Sequence, residues 1–475
     1  MPRRAHHPIP WLTLLLVTLA RAQQDAAPEP QEAASETGRD AGPPAFFERQ
    51  AEEESDQGPQ SPGFNQLAVT GEWPWKSTVL TGDWGGFRNK LGNAGIVLTS
   101  TSTTDLATVV SGGQRQGFIM PYLIDTNLSL DTQKMGLWAG GQVFIDFQQA
   151  GSTQLGSKYL PDFWGWDAIY PYTQNFTELA QYWYQQSFAD GALKLKFGKI
   201  DANTDFAVTY PGLQFINSAA YFPGGMVVDL PTYPNQAGGA EILLQPVSWF
   251  GGRFGFFDGS TNYYDASTGG SATPTGGRGL SSFLWDNPGS YFLIGEMGPQ
   301  WTLDDLAGHA SVGWYQQTGQ STEPSASLSP SPPSQAYVDG PWGLYLSGSQ
   351  QLFQTKSEAG TQSQLVAFGQ FGWSPPALNS CQWSLMSGLS WQGLLPGRPN
   401  DTFGSMVAYA HLGDEPTMTT SPGEGEFIVE GFYNFQITPW LGVQPDVQFI
   451  NLPSSVQGSG VPDAVVLTVR ITMSF

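Results

Sequence analysis

Polar side chains that could bind a solute recur at every second position in several segments of this 475-residue chain. Asp125 and Asn127, for example, alternate with Ile124 and Leu128. Carboxylates and amides exchange hydrogen bonds with hydroxyl groups, and an aromatic ring can stack on the C–H face of a sugar. This chemistry is noncovalent recognition of neutral polar solutes. A period of two is typical of a β-strand with one polar and one apolar face, so strands must position these groups.

The candidate solute-contacting residues carry both signs of charge together with amides and aromatic rings. A channel for anions would more commonly show a ring of Arg or Lys. A structural alternative stays open for each residue, because inward charges can pair across neighbouring strands and stiffen the wall. Glu430 with Asp446 is the first choice for either such a pair or a sugar contact. The candidates are Asp125, Asp146, Trp164, Trp166, Trp183, Lys194, Lys196, Asp201, Glu241, Glu430, Gln444, Asp446 and Arg470.

Residues suited to covalent or metal chemistry are scarce. His309 and His411 are the only histidines after residue 22, which is too few and too far apart for a His-based metal site. Cys381 is the only cysteine, and no G-x-S-x-G motif occurs. We therefore predict no catalytic residue, no metal site and no cofactor, and an enzyme acting through paired carboxylates is the least favoured alternative. The net charge of -22 argues against nucleic acid as a partner.

The remainder of the chain predicts an all-β membrane protein. Charged residues are only 13% of the chain, aromatic residues are also 13%, and no apolar run of about 20 residues follows the N-terminus. We expect about sixteen strands, of which the last, Ala464–Phe475, places Arg470 on a polar face. Short turns such as Asp190-Gly191 alternate with long connections, although the connections expected at 354–364 and 392–404 are long for turns. This pattern predicts a closed antiparallel transmembrane β-barrel with an aqueous lumen. The long connections are 149–176, 201–236, 259–289 and 318–341, and the first two are the best candidates for loops that fold into the lumen.

Three regions follow one another along the chain. Residues 1–22 have a positive start, an apolar core and an Ala-Arg-Ala cleavage site, as in a secretory signal peptide. Residues 23–77 are acidic and rich in Pro, Gln and Glu, which is typical of a disordered linker. Residues 78–475 form the predicted barrel. We therefore expect export and insertion into the outer membrane of a Gram-negative-type bacterium.

The segment TGDWGGFRNKLGNAGI at 81–96 resembles the first motif of the OprB-type carbohydrate-selective outer-membrane porins. Further similar segments follow in the family's order across about residues 80–475. They are FGKID at 197–201 with DFA at 205–207, FFDG at 256–259, PGRPND at 396–401 with VAY at 407–409, E-x-x-Y at 430–433, ITPWL at 437–441 and QPD at 444–446.

The resemblance implies a sixteen-stranded barrel through which mono- and small oligosaccharides diffuse. It implies outer-membrane lipid and the barrel-assembly machinery as partners, with Phe475 as an assembly signal, and it leaves a homotrimer open. Residues 23–75 lie outside the resemblance. The alternatives are a non-selective porin and a structural barrel that anchors the envelope.

Overall fold

The computed structural model describes the chain from residue 69 onward with short gaps. The predicted signal peptide and most of the predicted linker lie outside the described residues. The described ranges are 69–154, 156–170, 175–227, 229–259, 264–265, 270–271, 279–285, 289–322, 337–357, 360–379, 381–412, 425–451 and 461–475.

Sixteen antiparallel strands form one closed sheet, as the sequence predicted. Each strand pairs with the next along the chain and the last pairs with the first, so the sheet closes on itself. Met120 and Pro121 interrupt the second strand, because proline lacks the N–H that the ladder needs. The strands are Ile96–Ser111 (β1), Gly117–Ile119 with Tyr122–Asp131 (β2), Gly141–Gly151 (β3), Phe176–Phe188 (β4), Leu193–Ile200 (β5), Ala237–Val247 (β6), Phe250–Asp258 (β7), Tyr291–Leu303 (β8), Leu306–Gln317 (β9), Trp342–Ser357 (β10), Gly360–Trp373 (β11), Cys381–Gln392 (β12), Thr402–Leu412 (β13), Gly425–Thr438 (β14), Leu441–Asn451 (β15) and Ala464–Ser474 (β16).

The helices are short. The α-helices are Phe87–Asn93 (α1) and Leu280–Leu284 (α2). No helix in the described part of the chain has the length and apolar character needed to cross a membrane. The 3-10 helices are Trp84–Gly86, Gly156–Lys158, Ala202–Thr204, Tyr210–Gln214, Ser218–Ala220 and Gly224–Met226. Outside the barrel sheet, Tyr264–Asp265 pairs with Gly270–Ser271, and Gln320–Thr322 pairs with Tyr337–Asp339.

The two faces of the sheet differ in polarity. On β6, Ile242 and Leu244 are 48% and 50% exposed on the outside, whereas Glu241, the residue before Ile242, is 1% exposed and faces the interior. On β16, Leu467 is exposed outward and Arg470 is buried inside. An apolar outer face and a polar interior reverse the arrangement of a soluble protein and suit a barrel surrounded by lipid.

The shortest turns lie at one end of the barrel, here called the turn end, and the longest connections lie at the other, the loop end. The turn predicted at Asp190-Gly191 comprises residues 189–192, with positive φ at Ala189, Asp190 and Gly191. The expected long connection at 354–364 is mostly strand, because β10 continues to Ser357 and β11 begins at Gly360. Two irregularities in the β10–β11 register interrupt the period of two there and explain the error.

Candidate functional site in the lumen

Two long connections fold into the barrel interior, as predicted. The first inner loop, described at residues 152–154, 156–170 and 175, follows β3, and the second inner loop, described at 201–227 and 229–236, follows β5. Phe215 of the second inner loop is fully buried and packs edge-on against Phe432 of β14, with ring centroids 4.9 Å apart. Burial of such aromatic side chains holds the loops against one side of the wall.

Four polar side chains of β14 and β15, here called the anchors, bind the backbone of both inner loops. The carboxylate of Glu430 accepts hydrogen bonds from the N–H groups of Ile216 and Asn217, at 2.5 and 3.0 Å. The carboxylate of Glu426 accepts one from Phe163 N–H at 2.7 Å. These bonds satisfy loop amides that are buried away from water. The anchors are Glu426, Glu430, Gln444 and Gln448.

The two glutamine anchors bind loop carbonyls. Gln444 Nε2 donates to the main-chain oxygen of Gln214 at 3.0 Å, and Gln448 Nε2 donates to that of Trp166 at 2.9 Å. Each inner loop is therefore fixed by carboxylate acceptors and amide donors from the same two strands.

Asp201 closes the base of the second inner loop. Its carboxylate accepts hydrogen bonds from Asn203 N–H at 2.9 Å and from Tyr233 N–H at 3.2 Å, so it joins the two ends of the loop. Burial raises the pKa of Asp201 to about 7, although hydrogen bonds from Thr232, Asn203 and Tyr233 oppose the rise.

Five charged residues, here called the charged cluster, lie on the opposite wall and the adjoining end of the second inner loop. Lys196 Nζ lies 2.9 Å from the carboxylate of Glu241 and also pairs with Asp205. Burial alone would raise the pKa of Asp205, but Lys196 and Arg253 outweigh it and hold that pKa below its ordinary value. The members are Lys196, Asp205, Glu241, Arg253 and Glu296.

Part of the charged cluster is only half-buried. Arg253 and Glu296 are register partners on β7 and β8, and both are only half-buried. Arg253 donates a hydrogen bond to the main-chain oxygen of Asp205. Glu296 accepts from Ala207 N–H at 2.9 Å and from Tyr345 O–H at 2.8 Å. Two positive and three negative groups thus compensate one another, and they still present donors and acceptors to a solute.

Trp183 adds an aromatic surface beside the charged cluster. Its ring stacks on Phe144, with centroids 5.0 Å apart, and Lys196 Nζ lies 5.0 Å from its ring centroid. The ring is half-buried rather than enclosed. A fixed ring with hydrogen-bonding groups around it has the chemistry that a sugar would require.

The predicted pathway residues occupy three places. Trp183, Lys194, Lys196 and Glu241 come together on β4 to β6, where Lys194 is half-buried. Glu430 and Gln444 are anchors, and Asp446 is buried beside Glu430. The remaining members are buried under the loops or within them: Asp125, Asp146, Trp164, Trp166, Asp201 and Arg470.

Trp164 and Trp166 are 1% and 2% exposed, so in this conformation they pack the first inner loop and offer no free ring face. Arg470 forms a two-pronged ion pair with Asp105 at 2.6 and 2.8 Å, across the junction of β16 and β1. The alternative of a wall-stiffening charge pair therefore describes Arg470. Solute contact by these residues stays a prediction.

Three members of the charged cluster, Asp205, Arg253 and Glu296, were not among the predicted pathway residues. Arg253 could have been found, because it alternates with outward Phe254 on β7. No local pattern identifies Asp205, because it lies in a loop. Within the described ranges, no group of three or more His, Cys, Asp and Glu side chains is placed to hold a metal ion.

A closed barrel of sixteen strands, with an apolar outer face, a polar interior and loops folded inward, defines an outer-membrane channel of the porin class. The model of the carbohydrate-selective porins of the OprB family matches residues 115–475. The chain belongs to this family and is a carbohydrate-selective outer-membrane porin.

Solved structures of the same family share the fold. The high-pH structure of Pseudomonas putida OprB is 20% identical, has a TM-score of 0.70, and the match covers 85% of this chain and 100% of that chain. The low-pH structure of the same protein is 19% identical, with a TM-score of 0.52 and the same coverage. A comparison with curated proteins found no significant match.

Proposed function

We propose that small saccharides diffuse through the lumen past Trp183 and the half-buried members of the charged cluster. The observation that carries this proposal is the position of Trp183, a half-buried ring 5.0 Å from Lys196 Nζ, which in turn pairs with Glu241. A neutral sugar needs acceptors, donors and a flat apolar surface, and all three are present within this one part of the wall.

The charge balance favours neutral solutes over ions. The charged cluster contains two cations and three anions in mutual contact or register, so its net field is weak for its number of charges. The solute binds and leaves without a covalent step, and we propose that the protein has no enzymatic activity.

We also propose the route by which the protein reaches its membrane. Residues 1–22 direct export and are cleaved, and the barrel-assembly machinery inserts the chain with Phe475 as its signal. Outer-membrane lipid then covers the apolar outer face. A homotrimer is one candidate assembly, and residues 23–77 remain a predicted linker.

Single-channel recording in planar bilayers tests the proposed transport. We expect water-filled channels whose conductance falls when mono- or small oligosaccharides are added, with a graded response across a panel of sugars. Channels that ignore every saccharide would leave the barrel in place and identify a non-selective porin. Protein that migrates as a heat-modifiable barrel but opens no channel would favour the envelope-anchoring alternative.

A further inference from the structure

The first and last strands meet at a seam, which no hairpin covers. The seam ladder ends at the pair Thr101 and Ser474, but β1 begins five residues earlier, at Ile96. The main chain of β1 therefore extends beyond β16 at the turn end. Main-chain groups without partners on such an edge are costly and weaken closure.

The guanidinium group of Arg88, on α1, occupies this edge. Arg88 Nη2 donates to the main-chain oxygens of Phe475 and Leu98, at 2.6 and 2.7 Å, and Nη1 donates to Thr81 Oγ1 at 3.0 Å. Its side chain is 4% exposed. One charged group thus bridges β1 and the residue that follows β16, where the ladder has ended.

The same N-terminal segment also binds the opposite side of β16. Leu80 N–H donates to the main-chain oxygen of Ser474 at 2.9 Å, while Phe475 N–H donates to Ser100 at 2.8 Å. Trp440, in the turn between β14 and β15, donates from Nε1 to the main-chain oxygen of Pro74 at 2.6 Å. The segment therefore contacts three strand ends around the seam.

The local fold of the segment directs Arg88 to its place. Gly85 and Gly86 have φ of 69° and 89°, a left-handed conformation that side chains disfavour, and α1 begins directly after them. The carboxylate of Asp83 accepts from Asn89 N–H at 2.8 Å. The two glycines of the motif at 81–96 thus allow the left-handed backbone from which α1 begins and directs Arg88 to the seam.

We propose that residues 69–93 are a clasp that locks the closed barrel at its seam, and that Arg88 is the positioning residue of this clasp. The clasp supplies the hydrogen bonds that β16 is too short to supply. It acts together with the Asp105–Arg470 ion pair, which bridges the same two strands farther inside. Part of the region predicted as linker, residues 69–77, belongs to it.

The test compares the rates at which full-length variants unfold in denaturant. Heat-modifiable gel migration first verifies that each variant has folded into a barrel. All variants carry Cys381→Ser, so that introduced thiols are the only ones. Arg88→Ala should unfold at least about tenfold faster, since it removes several charge-assisted bonds. The unfolding rate of Arg88→Lys should lie between those of the parent and Arg88→Ala, because an ammonium group cannot reproduce the forked set of donors of a guanidinium group. Lys90→Ala, on the exposed face of the same helix, is the matched control and should unfold at the parent rate.

A cross-link across the seam separates this role from general destabilisation. Thr101 and Ser474 are direct register partners, so the double substitution Thr101→Cys with Ser474→Cys should form a disulfide. We expect the oxidised cross-link to remove the difference between Arg88→Ala and the parent. An unchanged unfolding rate for Arg88→Ala would overturn the proposal, and so would an accelerated rate that persists in the cross-linked protein. If Arg88→Ala does not fold, the same comparison with Arg88→Lys decides.

Discussion

Replacing Glu430 should widen the channel by releasing the second inner loop. Glu430 is 1% exposed and accepts the N–H groups of Ile216 and Asn217. Glu430→Ala leaves both amides buried without a partner, at a cost of about 1–3 kcal/mol each. The sum, roughly 2–6 kcal/mol, raises the detached population of the loop by about 30-fold to about 10⁴-fold.

Glu430→Gln gives a graded comparison. The amide keeps one acceptor oxygen, so one of the two loop N–H groups can remain bonded. In single-channel recordings we expect conductance to rise from the parent through Glu430→Gln to Glu430→Ala, and saccharide block to weaken in the same order. Glu72→Ala removes an exposed glutamate at the turn end and should leave both quantities unchanged. The reasoning would be refuted if Glu430→Ala had the same conductance and the same saccharide block as the parent.

Three further changes test the opposite wall and the base of the loop. Trp183→Ala should weaken saccharide block by about 2- to 10-fold, the value of one aromatic contact. Lys196→Met leaves the carboxylates of Asp205 and Glu241 without their cation and should shift the reversal potential in a salt gradient towards cation selectivity. Asp201, with a pKa of about 7 against about 4 when unfolded, binds more protons in the folded state over that range. The contribution of Asp201 to folded stability should therefore fall as pH rises from about 4 to about 7. The free energy of unfolding of the parent minus that of Asp201→Asn should decrease over that range and stay constant above it.

The first two of these changes have matched controls, and the third is tested by its pH dependence. Trp249→Ala removes an exposed ring at a turn and should not alter sugar block. Lys90→Met removes an exposed cation outside the lumen and should keep the parent reversal potential. A stability difference between Asp201→Asn and its parent that does not vary with pH would show that Asp201 does not titrate in this range.

The barrel could be predicted from local patterns, because each strand shows its own two faces. Leu467 and Arg470 point in opposite directions on β16 for the same reason that they alternate in sequence. The inward loops could be predicted from length and aromatic content. Strand limits near 354–364 were wrong because register irregularities change which face a residue occupies.

The partners of the polar residues could not be predicted, since they depend on contacts distant in sequence. Glu430 was expected to pair with Asp446 or to contact a sugar. It does interact with Asp446, but it also binds the backbone at Ile216, 214 residues away, which was not expected. Arg470 pairs with Asp105, 365 residues away. A strand pattern reports the direction of a side chain but contains no information on which loop returns to meet it.

The anchors on β14 and β15 and the charged cluster on β5 to β8 occupy opposite sides of the barrel. Under the proposed function, the anchors control the aperture and the residues around Trp183 control the affinity for sugar. Substitutions at the anchors can change the size limit for permeating molecules while the sugar-facing surface stays intact, and substitutions around Trp183 can change solute preference at a constant aperture. This separation makes the barrel a suitable scaffold for a nanopore sensor in which the size limit and the solute-binding surface are engineered independently.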